Sequence, residues 1–293
     1  MEIVCFTTFT MRTVAQARVL AETIRKHHPD WRLIGALVDA SDPGPAHDPN
    51  PSPFDDILLA HDILASRPDA ARPDGALQLH AAVRALLLLQ LSEATGADAV
   101  IHLAADTVLF KPLTGVEELL QHNAIVLVPR VTDADAPQNK FGLGGVASLP
   151  SGVYDPGFIA VRTGGEGLRF ARWWTEQLLT TGADDAGVGQ TVGLRWCDQA
   201  PALFDQVHIL RHRGYNVSNF NLATRRVALD CQGELCVDDS PLYSWRFAEL
   251  GDDGTALIVP YDGRNHLVRE VCVWYQRALD EQMAEAELIK SIQ

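Results

Sequence analysis

The start of the chain alternates between two strand-like runs and one helical pattern, and this order restricts the fold more than any other feature. Residues 2 to 9 and 31 to 38 have the apolar, β-rich composition of buried strands, and apolar residues between 12 and 28 recur at helical spacing. A strand, a helix and a second strand in this order give parallel strands joined by a crossover helix. The chain is therefore predicted to form an α/β fold with a mainly parallel central sheet flanked by helices.

A second helix and strand then lead to a candidate site. The segment 76 to 95 is apolar on nearly all sides, which predicts a buried helix, and Gly96 ends it. Residues 99 to 103 are predicted to form the next strand, with a further strand over 124 to 128 beside it. Because ligands of parallel sheets bind beyond the carboxyl ends of the strands, Asp106 is expected at the ligand-binding edge.

The rest of the chain continues this alternation without an internal repeat. We expect a strand that ends at Arg162, a helix over 167 to 179, a hairpin over 227 to 241, a strand over 243 to 247 and a C-terminal helix over 267 to 292. Two stretches rich in Gly, Pro or Asp are predicted loops, 39 to 53 and 132 to 152, and the second is either a lid or a plain loop. One domain over residues 1 to 293 is predicted.

Composition excludes several classes of protein. Asp and Glu outnumber Lys and Arg by 38 to 24, and a net charge of −14 disfavours nucleic acid as a partner. No uncharged apolar run reaches the roughly 18 residues of a membrane span. The N-terminus reads directly as a strand rather than as a signal peptide, so a cytoplasmic location without a transmembrane segment is expected. The five scattered cysteines predict reduced thiols rather than disulfides or a zinc site.

Several segments carry motifs that occur together in one enzyme family. They cover residues 6 to 9, 26 to 31, 103 to 110, 152 to 162, 172 to 174 and 196 to 222. In this combination the chain resembles bacterial glycosyltransferases of the GT-A fold, a Rossmann-like fold, related to the glycogenin-like and mannosyltransferase groups. The resemblance covers most of the chain, and implies a nucleotide-binding half up to residue 110 and an acceptor half with the C-terminal helix over 111 to 293.

The chain departs from this family at three places. Ala104 stands where the first Asp of an Asp-X-Asp metal motif is expected, so that only Asp106 remains. Gly193 and Leu194 stand where the family has an Asp-Gln pair that faces the donor sugar. Arg246 stands where the family has a metal-ligating His. Two metal ligands are therefore missing together, and one is replaced by a cation.

Arg246 leads to a hypothesis about the role of metal. Its guanidinium is permanently charged and has a planar fork that matches phosphate geometry. The hypothesis is that Arg246 takes the place of the cation, stabilises the leaving nucleoside diphosphate and makes the enzyme independent of a metal cofactor. Binding of Mg or Mn through Asp106 is the alternative. A surface ion pair of Arg246 with Glu249 or Asp252 is the interpretation without a catalytic role.

The remaining candidate site residues follow from the resemblance and from side-chain chemistry. Asp155 and Asp198 are rival candidates for the general base, and Asp155 is alternatively a sugar ligand or a turn residue before Pro156. Arg84 lies in the apolar helix, where a cation needs an ionic partner or a path to water, and it is also a candidate phosphate ligand. The other predicted donor-binding residues are Phe6, Thr7, Thr8, Asp106, Tyr154, Gly157, Arg211, Tyr215, Asn216 and Asn219.

The favoured function is transfer of a hexose from a nucleoside diphosphate sugar to a glycan or lipid-linked acceptor, with surface polysaccharide assembly as the expected setting. One alternative is a catalytically silent GT-A domain that binds a sugar nucleotide or a partner. Another is a metal-dependent transferase that uses Asp106. The base, the sugar, the acceptor, the stereochemical course and a homo-oligomeric state are left open.

Overall fold

The computed structural model describes residues 1–39, 53–67, 76–94, 96–133, 152–180, 192–248 and 266–292. The strands are β1 (Ile3–Phe9), β2 (Arg32–Leu37), β3 (Asp56–Leu59), β4 (Ala99–Leu103), β5 (Thr107–Leu109), β6 (Ile125–Pro129), β7 (Tyr154–Arg162), β8 (Val207–Ile209), β9 (Val227–Leu229), β10 (Leu235–Val237), β11 (Ser240–Pro241) and β12 (Ser244–Arg246). The α-helices are α1 (Val14–His27), α2 (Ala60–Ala65), α3 (Ala76–Ala94), α4 (Thr114–His122), α5 (Gly165–Thr180), α6 (Ala200–Leu203) and α7 (His266–Ile292).

Seven strands form the central sheet in the order β3-β2-β1-β4-β7-β6-β8. All neighbouring strands in it are parallel except β7, which runs antiparallel to both β4 and β6. This confirms the predicted α/β fold with a mainly parallel sheet flanked by helices. The expectation that the strand at 124 to 128 lies beside β4 is wrong, because β7 is inserted between β4 and β6.

The reversed direction of β7 determines where the candidate site lies. Parallel strands β1, β4 and β6 end at one edge of the sheet, and an antiparallel strand between them begins at that same edge. The first residues of β7, Tyr154 to Gly157, therefore lie beside the segment that follows β4. The amide of Ala104 donates a hydrogen bond to the carbonyl of Gly157 at 2.8 Å, which joins the two segments directly.

Helices α3 and α5 cover the same side of the sheet, and their apolar residues form a continuous core with it. Val83, Leu87 and Leu88 of α3 are fully buried, as the nearly all-apolar pattern of this helix predicts. Trp174 of α5 is also fully buried and stacks on Phe170 with ring centroids 5.9 Å apart. The tryptophans at 173 and 174 thus belong to the core behind the sheet.

The opposite side of the sheet is covered by α1 and α4, and the C-terminal helix α7 packs against α1. Gln282 of α7 donates a hydrogen bond to Glu22 of α1 at 2.6 Å, and Val271 and Tyr275 of α7 are buried. The two-stranded sheet of β5 and β12 lies next to this layer. Among the described residues, none of the helices combines the length and the apolar character needed to cross a membrane.

His28 makes stability dependent on pH. Its Nε2 accepts the amide of Leu113 at 2.8 Å, and its ring stacks on Trp31. Burial, with a smaller effect of His27, lowers the pKa of His28 to about 4. The native state therefore resists protonation, whereas the unfolded chain binds a proton near pH 6.5, so this contribution to stability is complete above pH 6.5 and declines toward pH 4.

We expect the free energy of unfolding to fall by at most about 3 kcal/mol through His28 as the pH is lowered across this interval. Urea denaturation of the wild type and of His28→Gln measures it, since glutamine can still accept the amide of Leu113 but does not titrate. The difference in stability between the two proteins should change with pH. A constant difference would show that His28 does not titrate on unfolding.

Candidate active site

A cavity of about 270 Å³ opens at the sheet edge where β1, β4 and β6 end and β7 begins. It is lined by Thr8, Thr10, Thr13, Gln16, Leu77, His80, Ala81, Arg84, His102, Ala104, Ala105, Asp106, Arg130, Pro156 and Arg246. Four of the predicted site residues are among them: Thr8, Arg84, Asp106 and Arg246. The position agrees with the rule that ligands of open α/β sheets bind beyond the carboxyl ends of the strands.

Arg246 lies between two carboxylates at this edge. Its Nε donates to Asp106 Oδ1 at 3.1 Å, and its Nη1 donates to Asp155 Oδ1. The register of β12 against β5 explains the contact, because Arg246 is paired with Thr107, the residue after Asp106. Burial alone lowers the pKa of Arg246, but the two carboxylates outweigh it and raise the pKa above its usual value. Arg246 is therefore a permanent cation held at the cavity wall.

The interpretation of Arg246 as a surface ion pair is not supported where the structure describes its surroundings. The side chain is 18% exposed, and its partners, Asp106 and Asp155, are two of the three carboxylates predicted for the site. Glu249 and Asp252, the surface partners considered from the sequence, lie outside the described residues.

Asp155 is buried, with 1% of its surface exposed, and is fully engaged by neighbours. Oδ1 accepts the amide of Gly157 at 3.0 Å and Nη1 of Arg246, and Oδ2 accepts the side-chain amide of Asn216 at 2.9 Å. Arg130 Nη2 lies 3.7 Å from Oδ1. Burial raises the pKa of Asp155, but Arg246, Arg130 and Asn216 together bring it well below its usual range. Such a carboxylate is a weak base, so the geometry does not support Asp155 as the general base.

Gly157 allows Arg246 to lie against the backbone of β7. A Cβ at this residue would lie 2.8 Å from Cζ and from Nη1 of Arg246, closer than van der Waals contact allows. The sequence predicts a close approach of the backbone to a ligand here. The structure shows that the group lying against Gly157 is a guanidinium of the protein itself.

Arg84 faces the cavity from α3. It is only 9% exposed, its guanidinium lies 5.5 Å from the ring centroid of Trp174, and its Nε has no hydrogen-bond partner. It makes no ion pair with any residue that the structure describes. Burial is the main cause that lowers the pKa of Arg84 to about 10, so the group is still charged at neutral pH. Arg84 therefore has no protein counter-ion within the described part of the chain.

Arg130 is a site residue that the sequence analysis missed. It directly follows β6, is buried, and lies with its guanidinium 4.6 Å from the ring centroid of Phe220. The signal that could have found it is its place after a strand that ends at the same edge as β4. Although β6 is not the direct neighbour of β4, the two strands run in the same direction, so the residue after β6 still lies at the edge where β4 ends.

Two histidines at the cavity were also missed because each lies within an apolar segment. His80 Nδ1 is 3.3 Å from Thr8 Oγ1, and burial, followed by the charge of Arg84, lowers the pKa of His80 to about 4. His102 Nδ1 donates to the carbonyl of Pro156 at 3.1 Å, and burial lowers its pKa well below the usual value. Both rings are neutral at neutral pH, so they add hydrogen-bonding groups but no charge.

Several predicted donor-binding residues lie outside the cavity. Phe6 and Thr7 are buried within β1. Tyr215 stacks on Tyr243 with centroids 4.4 Å apart, and Asn219 donates to the carbonyl of Ala248 at 2.6 Å. Among the described residues, Asn216 contacts the site through Asp155, and Gly157 contacts it through Ala104, Asp155 and Arg246. The remaining predicted residues outside the cavity lining are Tyr154 and Arg211.

Asp198, the rival candidate for the general base, also lies away from this cavity. Its Oδ1 accepts the amides of Val153 at 2.8 Å and Tyr154 at 3.1 Å, which ties it to the segment that leads into β7. It lines a smaller cavity of about 200 Å³ with Arg195, Trp196 and Gln199. In this position Asp198 stabilises the start of β7.

The residues at the cavity do not match a site for a divalent cation. Mg and Mn need a near-octahedral shell of oxygen ligands. Asp106 and Asp155 are both paired with Arg246, and in the described parts of the chain no three residues among His, Cys, Asp and Glu lie together as a metal site requires. The guanidinium of Arg246 occupies the space between the two carboxylates.

No protein-family model and no curated protein matches the sequence. Among solved structures, the chain is similar to the galactosyltransferase LgtC in complex with donor and acceptor sugar analogs, with 13% identity, 74% of this chain and 77% of that chain covered, and a TM-score of 0.46. The glycosyltransferase GlyE of Streptococcus pneumoniae TIGR4 is 13% identical, with 97% of this chain and 64% of that chain covered and a TM-score of 0.49. Mouse xyloside xylosyltransferase 1 is 11% identical, with 74% of this chain and 88% of that chain covered and a TM-score of 0.43. Likeness at this level assigns no residue and no activity.

Proposed function

We propose that this chain is a GT-A glycosyltransferase that moves a hexose from a nucleoside diphosphate sugar to a glycan or lipid-linked acceptor without a divalent cation. The observation that carries the proposal is the position of Arg246 between Asp106 and Asp155, at a cavity that Arg84 and Arg130 also line. The resemblance of the sequence motifs to GT-A enzymes supplies the reaction class.

The charges around the cavity suit an anionic leaving group. Arg84, Arg130 and Arg246 contribute three positive charges, Asp106 and Asp155 contribute two negative charges, and both histidines are neutral. During transfer the bond between the anomeric carbon and the diphosphate oxygen breaks, the acceptor oxygen bonds to that carbon, and the acceptor proton passes to the departing diphosphate or to water. The departing diphosphate gains negative charge, and fixed cations in a partly buried site stabilise that charge strongly.

Arg246 can act on the diphosphate while it is paired with the two carboxylates. A guanidinium has five N–H donors, and the two hydrogen bonds to Asp106 and Asp155 use Nε and Nη1. Nη2 makes no hydrogen bond to any other residue that the structure describes, and the side chain lines the cavity. Nη2 of Arg246 and the guanidinium of Arg84 are the donors that we assign to the phosphate oxygens.

One observation favours the alternative of a domain that binds a sugar nucleotide without turning it over. Asp106, the carboxylate in the described lining, is paired with Arg246, and Asp155 behind it is paired with the same guanidinium, so the described lining has no carboxylate free of a cation to accept a proton. A binding domain needs the cations but no base. A transferase and a binding-only domain would therefore both bind the sugar nucleotide, but only the transferase would turn it over.

Thermal unfolding with nucleoside diphosphates, together with donor turnover, distinguishes a transferase from a binding-only domain. The purified chain is mixed with UDP, GDP, ADP or dTDP, each with manganese or with EDTA, and release of the nucleoside diphosphate from the matching sugar donors is measured. We expect one nucleotide, at about 100 times its dissociation constant, to add about 2.7 kcal/mol of stability in EDTA, together with turnover in EDTA.

Other results would contradict this proposal in different ways. Stabilisation in EDTA without turnover of any donor and acceptor would favour the binding-only domain. Stabilisation and turnover only with manganese would favour a metal-dependent transferase that uses Asp106. An absence of stabilisation by any of the nucleotides would overturn the assignment of the cavity.

A further inference from the structure

Asp155 can act on a substrate only through another residue. Its side chain has no exposed surface, and its oxygens accept hydrogen bonds from Gly157, Asn216 and Arg246. It does not line the cavity, whereas Arg246 does. Any effect of Asp155 on a bound ligand is therefore transmitted by a cation that lines the cavity. Arg246 is hydrogen-bonded to Asp155 and is the closer of the two such cations, because Arg130 Nη2 lies 3.7 Å from Oδ1.

Asn216 connects Asp155 to the strand that carries Arg246. Its backbone has a φ of 49°, in the left-handed region that asparagine adopts more readily than most residues. Its amide N–H donates to Ser244 Oγ of β12 at 2.9 Å, while its side chain donates to Asp155 Oδ2 at 2.9 Å. Asn221 in turn donates to the carbonyl of Asn216 at 3.0 Å. This arrangement fixes the distance between Asp155 and β12.

Gly157 limits the guanidinium from the other side. Because Gly157 has no side chain, Nε, Cζ and Nη1 of Arg246 lie against the backbone of β7. The atoms that an added Cβ would meet belong to the end of a flexible side chain, so an alanine here would displace the guanidinium rather than the strand. The guanidinium of Arg246 can therefore take this position only because residue 157 has no Cβ.

We infer that Asp155, Asn216 and Gly157 are positioning residues that orient the guanidinium of Arg246 toward the diphosphate of the sugar donor, an inference that rests on the proposed function. An arginine side chain has several rotatable bonds, and ordering it costs free energy that a bound ligand would otherwise have to supply. Asp155 and Gly157 of β7 contact the guanidinium directly, and Asn216 holds Asp155 in place, so the side chain is ordered before the donor binds. Asp155 is then neither a base nor a sugar ligand.

Gly157→Ala tests the inference, with Gly164→Ala as the matched control. Both variants add one methyl group near β7, but a Cβ at Gly164 meets nothing within 4 Å. We expect Gly157→Ala to lower kcat for donor turnover by about 100-fold, with a smaller rise in KM, because the interaction strengthens as charge develops on the leaving group. The melting temperature without ligand should fall, because the displaced guanidinium pairs less well with the buried carboxylate of Asp155, so kcat is compared per folded molecule. Gly164→Ala should leave kcat, KM and melting temperature unchanged.

Asn216→Gly is the second variant, since glycine keeps the left-handed backbone and removes only the side-chain amide. We expect kcat to fall by about tenfold, in line with the loss of one hydrogen bond to a charged group. Wild-type kcat in folded Gly157→Ala or in folded Asn216→Gly, even with a lowered melting temperature, would show a purely structural role and overturn the inference. If the wild type neither binds a nucleoside diphosphate nor turns over a donor, the proposed function fails instead.

Discussion

Replacing Arg246 by alanine is expected to lower the rate of sugar transfer by about 100- to 1,000-fold. The guanidinium is the one cation that both lines the cavity and lies between Asp106 and Asp155 in the described structure. Its loss removes a donor to the leaving diphosphate and leaves two carboxylates that repel it. Steady-state kinetics in EDTA measures the effect, and the wild type should show the same rate in EDTA and in manganese.

The effect of Arg246→Ala on stability must be measured separately from its effect on the reaction rate. Removal of one partner from a buried ion pair is itself destabilising, by about 3 to 5 kcal/mol when burial is complete. Arg213→Ala is the matched control. Arg213 also pairs with two aspartates, Asp133 at 2.7 Å and Asp238 at 2.5 Å, but it does not line the cavity. Both variants should lose stability, and only Arg246→Ala should lose kcat per folded molecule. Equal kcat in the two variants, or loss of wild-type activity in EDTA, would contradict the role of Arg246.

Arg84→Met is expected to weaken binding of inorganic pyrophosphate and of the nucleoside diphosphate by about 10- to 150-fold, the range of about 1.5 to 3 kcal/mol for a hydrogen bond to a charged group. Arg84 is buried, lines the cavity and has no counter-ion among the described residues, so an anionic ligand is the partner that completes it. Isothermal titration calorimetry measures the affinity.

The effect on stability should be opposite to that of Arg246→Ala. A buried cation without a partner costs free energy, and methionine fills a similar volume without a charge. The free energy of unfolding of Arg84→Met should therefore equal or exceed that of the wild type. The control is Arg172→Met on α5, which removes an exposed ion pair with Glu93 and should change neither affinity nor stability by more than about 1 kcal/mol. A destabilised Arg84→Met with unchanged affinity would assign Arg84 to the fold alone.

Local patterns predicted the fold well. The alternation of strands and helices in the first 103 residues, the buried helix at 76 to 95 and the hairpin at 227 to 241 all appear at nearly the expected positions. These elements are visible in the sequence because each depends on a periodicity within a few neighbouring residues. The order of strands was predicted less well, since the insertion of β7 between β4 and β6 depends on contacts between distant segments.

The candidate site was predicted only in part. Asp106 and Arg246 were recognised because they stand at marked positions of motifs, and Arg84 because a cation is unusual in an apolar helix. Arg130, His80 and His102 were missed, since nothing in their local sequence distinguishes them from core or loop residues. Asp155 was predicted as a site residue, but the sequence could not show the three groups that donate hydrogen bonds to its carboxylate.

The sequence by itself determined the main strands and the long helices, their mainly parallel arrangement and the expectation, from the family resemblance, that Ala104 and Arg246 stand in place of two metal ligands. The tertiary structure decided which groups surround Arg246. Arg246 pairs with Asp106, 140 residues away, and with Asp155, 91 residues away, and it can do so only because Gly157 leaves room beside it. Such contacts depend on strand direction and register across the whole chain, whereas a sequence pattern reports only on neighbouring residues.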